Sequence, residues 1–122
     1  MSGRYLLDTN AIIYAFNRKL KLPKADYAVS VIARMELLSW PQLLQEDELQ
    51  LRAVLSATTV LPLSSSVQES AIEIRRTAAL KLPDSIISAT AIDGGYVLVT
   101  HDEKLTTHHI GEVIRLEKLM KA

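Results

Sequence analysis

The sequence predicts an α/β fold, one compact domain in which helices flank a mostly parallel central sheet, and three observations carry that expectation. Short apolar runs alternate along the chain with segments of helical period. One run, Tyr96-Val97-Leu98-Val99, is unbroken and β-prone, as a strand covered on both faces must be. The chain has 122 residues, 48% of them hydrophobic, which suffices for a single core over residues 1–122 and is too short for two domains.

The elements follow in order. Tyr5-Leu6-Leu7 is a first strand, and Ala11 to Leu20 a first helix. Ala28-Val29 is a short apolar strand. Ser30 can cap a helix that runs to Trp40, where Pro41 closes it. A further helix is expected from Gln45 to Leu55, with Leu44, Leu51 and Leu55 on one stripe. Val60-Leu61, bounded by Pro62, is a short strand. Ser66-Val67-Gln68-Glu69 has the form of a capping box, opening a helix with Val67, Ala71, Ile74 and Ala78 on one face. Pro83-Asp84 opens a segment, Ser85 to Ile92, that is apolar on most sides and so expected to be buried, and Gly94-Gly95 ends it. Glu112 to Leu116 alternates polar and apolar, as a half-exposed edge strand would.

Composition excludes several classes of function. The absence of cysteine removes disulfides, thiolate zinc sites and cysteine nucleophiles. No apolar run reaches the roughly 20 residues of a membrane helix. Met1 to Tyr5 lacks the basic-then-apolar pattern of a secretory signal, so a cytoplasmic protein is expected. Net charge is zero, with 14 basic and 14 acidic residues, which argues against binding nucleic acid by bulk charge. Were four acids neutralised by a metal ion, 14 basic residues would face ten acidic ones, a balance of +4.

Open parallel sheets hold their ligands beyond the carboxyl ends of the strands. By that rule four acids stand out: Asp8 after the first strand, Glu36 in the helix after Ala28-Val29, Asp84 at the start of the buried helix, and Asp102 just past the late strand. Singly, Asp8 reads equally well as a turn residue or helix cap and Asp102 as the start of a short helix, while Asp84 after Pro83 reads better as a cap. Glu36 is more informative, because Ile32 and Trp40 put it on an apolar stripe where an unpaired carboxylate is costly. Its alternative is a buried ion pair with Arg34, Arg75 or Arg76. Carboxylates held close together cannot all stay ionised without a cation among them. An all-oxygen donor set suits a hard metal such as Mg²⁺ or Mn²⁺, which favours phosphoryl oxygens as its remaining ligands. Such an ion activates water and neutralises a leaving oxygen. Thr9, Asn10 and Thr100 can hold outer-shell waters.

Leu6-Leu7-Asp8-Thr9-Asn10-Ala11-Ile12-Ile13, the Glu36 helix, Leu82-Pro83-Asp84-Ser85-Ile86-Ile87-Ser88-Ala89-Thr90-Ala91 and Leu98-Val99-Thr100-His101-Asp102 resemble the motifs of the PIN-domain nucleases. The short length resembles the VapC-type toxins of toxin–antitoxin pairs within that family. The resemblance implies a Mg²⁺-dependent endoribonuclease, homodimerisation and inhibition by a cognate antitoxin protein. It makes Asp8 and Asp84 the principal metal ligands and Asp102 the residue that completes the cluster. Glu36 would act through a water on the metal or as a further ligand. One departure is that many relatives carry Thr-x-Asn and a further Asp after the late strand, where this chain has Thr100-His101-Asp102 and then Leu105.

Arg18, Lys19, Lys21 and Lys24 lie in an acid-free stretch after the first helix and are the candidate RNA phosphate contacts, or else a solvated loop. Arg75-Arg76 is a second candidate. The aromatics show no spacing that suggests a stacking platform, and Phe16 and Trp40 are expected in the core or, with Leu37 and Leu38, in a dimer contact. His101, His108 and His109 have no metal-ligand spacing and are expected at the surface or in turns. Two other functions compete: a metal-independent ribonuclease using these histidines, and a catalytically silent metal- or protein-binding domain. A signalling receiver and a haloacid-dehalogenase-like phosphatase fit less well. Asp8-Thr9-Asn10 lacks the second acid both need, and Val60-Leu61-Pro62-Leu63 has no acid.

Overall fold

A computed structural model describes residues 3–121. Five parallel strands form one sheet in the order β3-β2-β1-β4-β5: β1 (Arg4–Leu7), β2 (Asp26–Ser30), β3 (Thr59–Leu61), β4 (Val97–Val99) and β5 (Val113–Ile114). The helices between them are α1 (Thr9–Asn17), α2 (Val31–Leu38), α3 (Gln45–Ser56), α4 (Ser65–Thr77), α5 (Leu82–Gly94), α6 (Glu103–His108) and α7 (Leu116–Lys121). None of them is long and apolar enough to cross a membrane.

Strand side chains alternate between faces, so each central strand buries a residue on either side. Leu7, Val29 and Val99 pack with Ile12 of α1, Leu37 of α2, Leu51 and Leu55 of α3, and Leu116 and Leu119 of α7. Leu6, Ala28 and Leu98 pack with Ile87 and Ala91 of α5 and Leu105 of α6. α4 lies outside α5, joined to it through Val67, Ala71, Ile86 and Ala89. Between helix and sheet on one side and helix on the other, α5 has little wet surface, hence its lack of a polar face. Gly95 takes the left-handed conformation (φ 70°) that ends α5 and turns the chain into β4.

Several expectations need correction. α4 is capped by Ser64, whose hydroxyl accepts the Val67 N–H at 3.2 Å, while Ser66 donates to Asp93 Oδ1 on α5 at 2.5 Å. Ser64, Ser65 and Ser66 all have capping chemistry, and the packing of α4 on α5 decides among them. The expected strand Glu112 to Leu116 is only two residues long, because Leu116 and Leu119, three apart, enter the core as one face of α7. α1 begins at Thr9 and ends at Asn17, earlier at both ends than expected. α2 stops at Leu38, since the residue before a proline is pushed out of helical conformation and Trp40 precedes Pro41. Trp40 is therefore outside both the helix and the core, whereas Leu37 is a core residue and unavailable for a dimer contact.

Leu98 is fully buried in β4, so Leu98→Ala should lower unfolding free energy by about 2–5 kcal/mol. Ile110→Ala, at a position 84% exposed, should change it by less than about 0.5 kcal/mol. Chemical denaturation checks both values.

Candidate active site

β1 and β4 are neighbours, yet the chain leaves them in opposite directions: from β1 through α1 to β2 on one side, from β4 through α6 to β5 on the other. That divergence opens a crevice beyond their carboxyl ends. Asp8 is the first residue past β1, and it caps α1. Its Oδ1 accepts the Ala11 backbone N–H at 2.7 Å, and its Oδ2 accepts the Thr100 hydroxyl at 2.5 Å. The Thr100 oxygen also accepts the Asp102 backbone N–H at 3.0 Å. One buried hydroxyl thus ties the end of β1 to the turn after β4. Asp102 Oδ1 accepts the Leu105 N–H at 2.9 Å and caps α6, so the cap role suggested by its sequence position is real.

α5 carries the chain from the same rim back to the start of β4, which puts Asp84 in its first turn, half-buried, while Lys81 takes the N-cap position. Glu36 is exposed on α2 and accepts the Thr9 hydroxyl at 2.7 Å. The burial expected for Glu36 is not found: Ile32 packs against the core, but Glu36 and Trp40 further along border a cleft. Nor does it pair with arginine. Among the described residues the ion pairs are Arg52–Glu48 and His101–Glu117, and none of the four acids takes part.

The acids feel one another. Burial, reinforced by the charges of Asp102 and Asp84, pushes the Asp8 carboxyl up to about 6 against the pull of its two hydrogen bonds. Asp8 is 2% exposed, so this charge has little water to screen it. Asp84 is raised by burial and then by Asp102 and Glu36, with Lys81 and Lys104 opposing. A cleft of about 520 Å³ joins Asp8, Thr9, Asn10, Glu36 and Asp84 to an apolar wall that includes Phe16, Trp40 and Leu43. Asp102 does not line this cleft, and its charge reaches Asp8 and Asp84 from the β4 side.

The donor set is all oxygen and in electrostatic deficit, which fits a hard divalent cation. Among the described residues no group of three or more His, Asp or Glu is gathered closely enough to hold a metal ion by itself. That arrangement suits an ion with few direct protein ligands, the others coming from water and phosphate, as Mg²⁺ prefers.

The basic segment is elsewhere. Lys19 and Lys21 follow the far end of α1 and line a separate groove with Leu20, Leu22 and Tyr27, while Arg18 lies 3.7 Å over the Tyr14 ring. None of Arg18, Lys19, Lys21 and Lys24 borders the acidic cleft, which the chain leaves after Asn17 at the end of α1. Lys81 and Lys104, which sequence reading passed over, are the cations that act on Asp84. They are isolated lysines in sequence and become recognisable only once α5 and α6 meet the rim. The histidines also need correction. His109 is buried with Nδ1 2.6 Å from the Ser88 hydroxyl, and burial pushes its pKa down. His101 stands edge-on to Tyr14 with Nε2 2.8 Å from Glu117 Oε1. No histidine lines the cleft.

A family model described as PIN domain matches residues 5–109. Among solved structures the fold is similar to a toxin–antitoxin complex from Klebsiella pneumoniae, with 28% identity, TM-score 0.75, and coverage of 90% of this chain and 95% of that one. It is also similar to VapBC-1 from nontypeable Haemophilus influenzae, with 20% identity, TM-score 0.77, and coverage of 93% and 98%. A third likeness is to VapBC2 from Rickettsia felis bound to a DNA fragment from its promoter, with 21% identity, TM-score 0.75, and coverage of 91% and 97%. No curated protein sequence matches.

The raised Asp8 pKa has a sign. Between its unfolded value of 3.8 and its folded value of about 6 the folded chain holds more protons, so stability from this group is lost as pH rises through that window. By pH 7 the loss amounts to about 3 kcal/mol. In chelator, Asp8→Asn should gain stability relative to the unaltered chain by up to that amount between about pH 4 and pH 7. Paired thermal melts across the window test this, and a difference that does not vary with pH contradicts it.

Proposed function

Because this chain belongs to the PIN-domain family, we propose that it is a Mg²⁺-dependent endoribonuclease, the VapC-type toxin of a toxin–antitoxin pair, which hydrolyses RNA phosphodiester bonds at the Asp8–Glu36–Asp84–Asp102 rim. The observation that carries the reading is that carboxylates from separate parts of the chain repel one another at the switch point of a parallel sheet without an arginine or lysine paired to any of them. A silent protein-binding domain gains nothing from such a costly cluster; a silent metal-binding domain does, and RNA cleavage separates it from the nuclease.

Asp8 and Asp84 are the residues that would hold the ion directly, with Asp102 completing the charge; Mn²⁺ could substitute for Mg²⁺. When bound, the ion supplies positive charge against the phosphoryl oxygens and lowers the pKa of water. The chain's own groups do the rest. The Ala11 N–H and Thr100 hydroxyl fix the Asp8 carboxylate in one orientation, as hydrogen-bond partners behind a metal ligand do. The Thr9 hydroxyl holds Glu36 Oε1, and Oε2, which takes no hydrogen bond from the described residues, is free to accept a proton from the attacking water. Attack by water at phosphorus breaks the bond to the leaving ribose oxygen and needs no 2′-hydroxyl. Lys81 and Lys104, whose charges reach Asp84, are the cations we assign to flanking phosphates. The toxin–antitoxin likenesses support a cognate antitoxin as partner, and homodimerisation and a cytoplasmic setting accompany that reading. A histidine-based ribonuclease is disfavoured, since no histidine lines the cleft.

Asp8→Asn and Asp84→Asn should each keep the fold by circular dichroism and reduce RNA cleavage by about a thousandfold or more. EDTA should abolish the activity of the unaltered chain, and products should lack 2′,3′-cyclic phosphate. Cleavage that persists in chelator, or cyclic ends, would support histidine chemistry instead. Lys81→Ala with Lys104→Ala should weaken RNA binding for all sequences and flatten its dependence on salt by about one to two counterions. An unchanged salt slope would exclude the two lysines from the phosphate path.

A further inference from the structure

Resting on the ribonuclease reading and extending it to substrate selection, we propose that Trp40 stacks one unpaired nucleobase of the RNA beside the bond that is cut. Tryptophan rarely stands out in water, yet Trp40 is 61% exposed. The helix break before Pro41 leaves its indole at the wall of the acidic cleft, not in the core. Trp40 is four residues past Glu36, and both border the same cavity as Asp8 and Asp84. A nucleotide whose phosphate sits at the carboxylate rim has its base within reach of that wall.

Charge favours a base over a phosphate as the occupant there. The cleft is lined by Asp8, Glu36, Asp47 and Asp84 and by no lysine or arginine, so backbone phosphates gain nothing from its walls beyond the rim. Stacking needs no such charge, and every base has a π-face to offer. The exposed side-chain amides of Asn10 and Asn17 border the same cavity and carry the donor and acceptor pair that matches a base edge. Trp40 is the cleft's one exposed aromatic, Phe16 being partly buried against the core, which implies selection at one position instead of a run of stacked bases.

Trp40 is the chain's one tryptophan, so its emission reports on this site alone. The experiment titrates the full-length Asp84→Asn protein in Mg²⁺ with a 5′-labelled, short single-stranded oligoribonucleotide and with an abasic ribose-phosphate oligomer of the same length. Label anisotropy measures binding, and tryptophan emission measures contact. The expected result is saturable quenching that follows the anisotropy and is absent with the abasic oligomer. In the cleavage assay Trp40→Ala should raise KM by about tenfold to a hundredfold with little change in kcat, and Trp40→Phe should restore most of the loss. RNA binding with unchanged emission, equal quenching by the abasic oligomer, or an unaltered KM in Trp40→Ala each overturns the stacking role and leaves the nuclease assignment standing. A dimer that Trp40→Ala converts to monomer by sedimentation would make the residue a subunit contact and overturn it too. Failure of the unaltered chain to bind or cut any RNA overturns both.

Discussion

A carboxylate buried at the end of the central strand, facing other carboxylates, is the constraint on which the rest of the molecule depends. Asp8 is almost wholly removed from water, its ordinary compensation would be a cation, and no lysine or arginine among the described residues pairs with it. Two hydrogen bonds hold it in place without cancelling the cost, which is why its pKa stays high. The fold therefore retains a local destabilisation at the position where α/β sheets bind ligands. Ground-state destabilisation of this kind is repaid when a suitable ligand arrives.

The sheet topology collects the charges. Because β1 lies between β2 and β4, the chain must cross from one side of the sheet to the other. That crossing brings the turns after β1 and β4 together and sends α5 back from the same rim. Thr100 converts this proximity into a linkage, donating to Asp8 while accepting from the backbone of Asp102. Asp8, Asp102 and Glu36 thus have a local structural role, as a helix cap or a hydrogen-bond partner, beside the electrostatic one that they share with Asp84. For Asp8 and Asp102 the two roles coincide in the same atoms.

Much of this was legible in the sequence, and what was not has physical reasons. The central strands and the buried α5 announce themselves through unbroken apolar composition, because burial on both sides leaves no room for a polar face. Asp8, Glu36, Asp84 and Asp102 could be named from their places after strands and at helix starts, and Thr9 and Thr100 as neighbours of those acids. Periodicity could not tell the buried face of α2 from its cleft face, so Glu36 was expected in the interior and is exposed. α7 was hidden because two leucines three apart fit an edge strand as well as a short helix until the core selects one. The basic stretch after α1 lies past the point, Asn17, where the chain leaves the acidic cleft, and Lys19 and Lys21 line a separate groove, which composition alone could not show. Trp40 and the lysines near Asp84 acquire significance only in three dimensions.

The central claim is that these acids are held together for a divalent cation. Its most direct test is Mn²⁺ binding followed by electron paramagnetic resonance at neutral pH, on the unaltered chain and on Asp8→Asn and Asp84→Asn. Saturable binding by the unaltered chain, weakened about tenfold or more by either substitution, is the predicted result. No binding at millimolar metal, or equal binding by all three proteins, would contradict it.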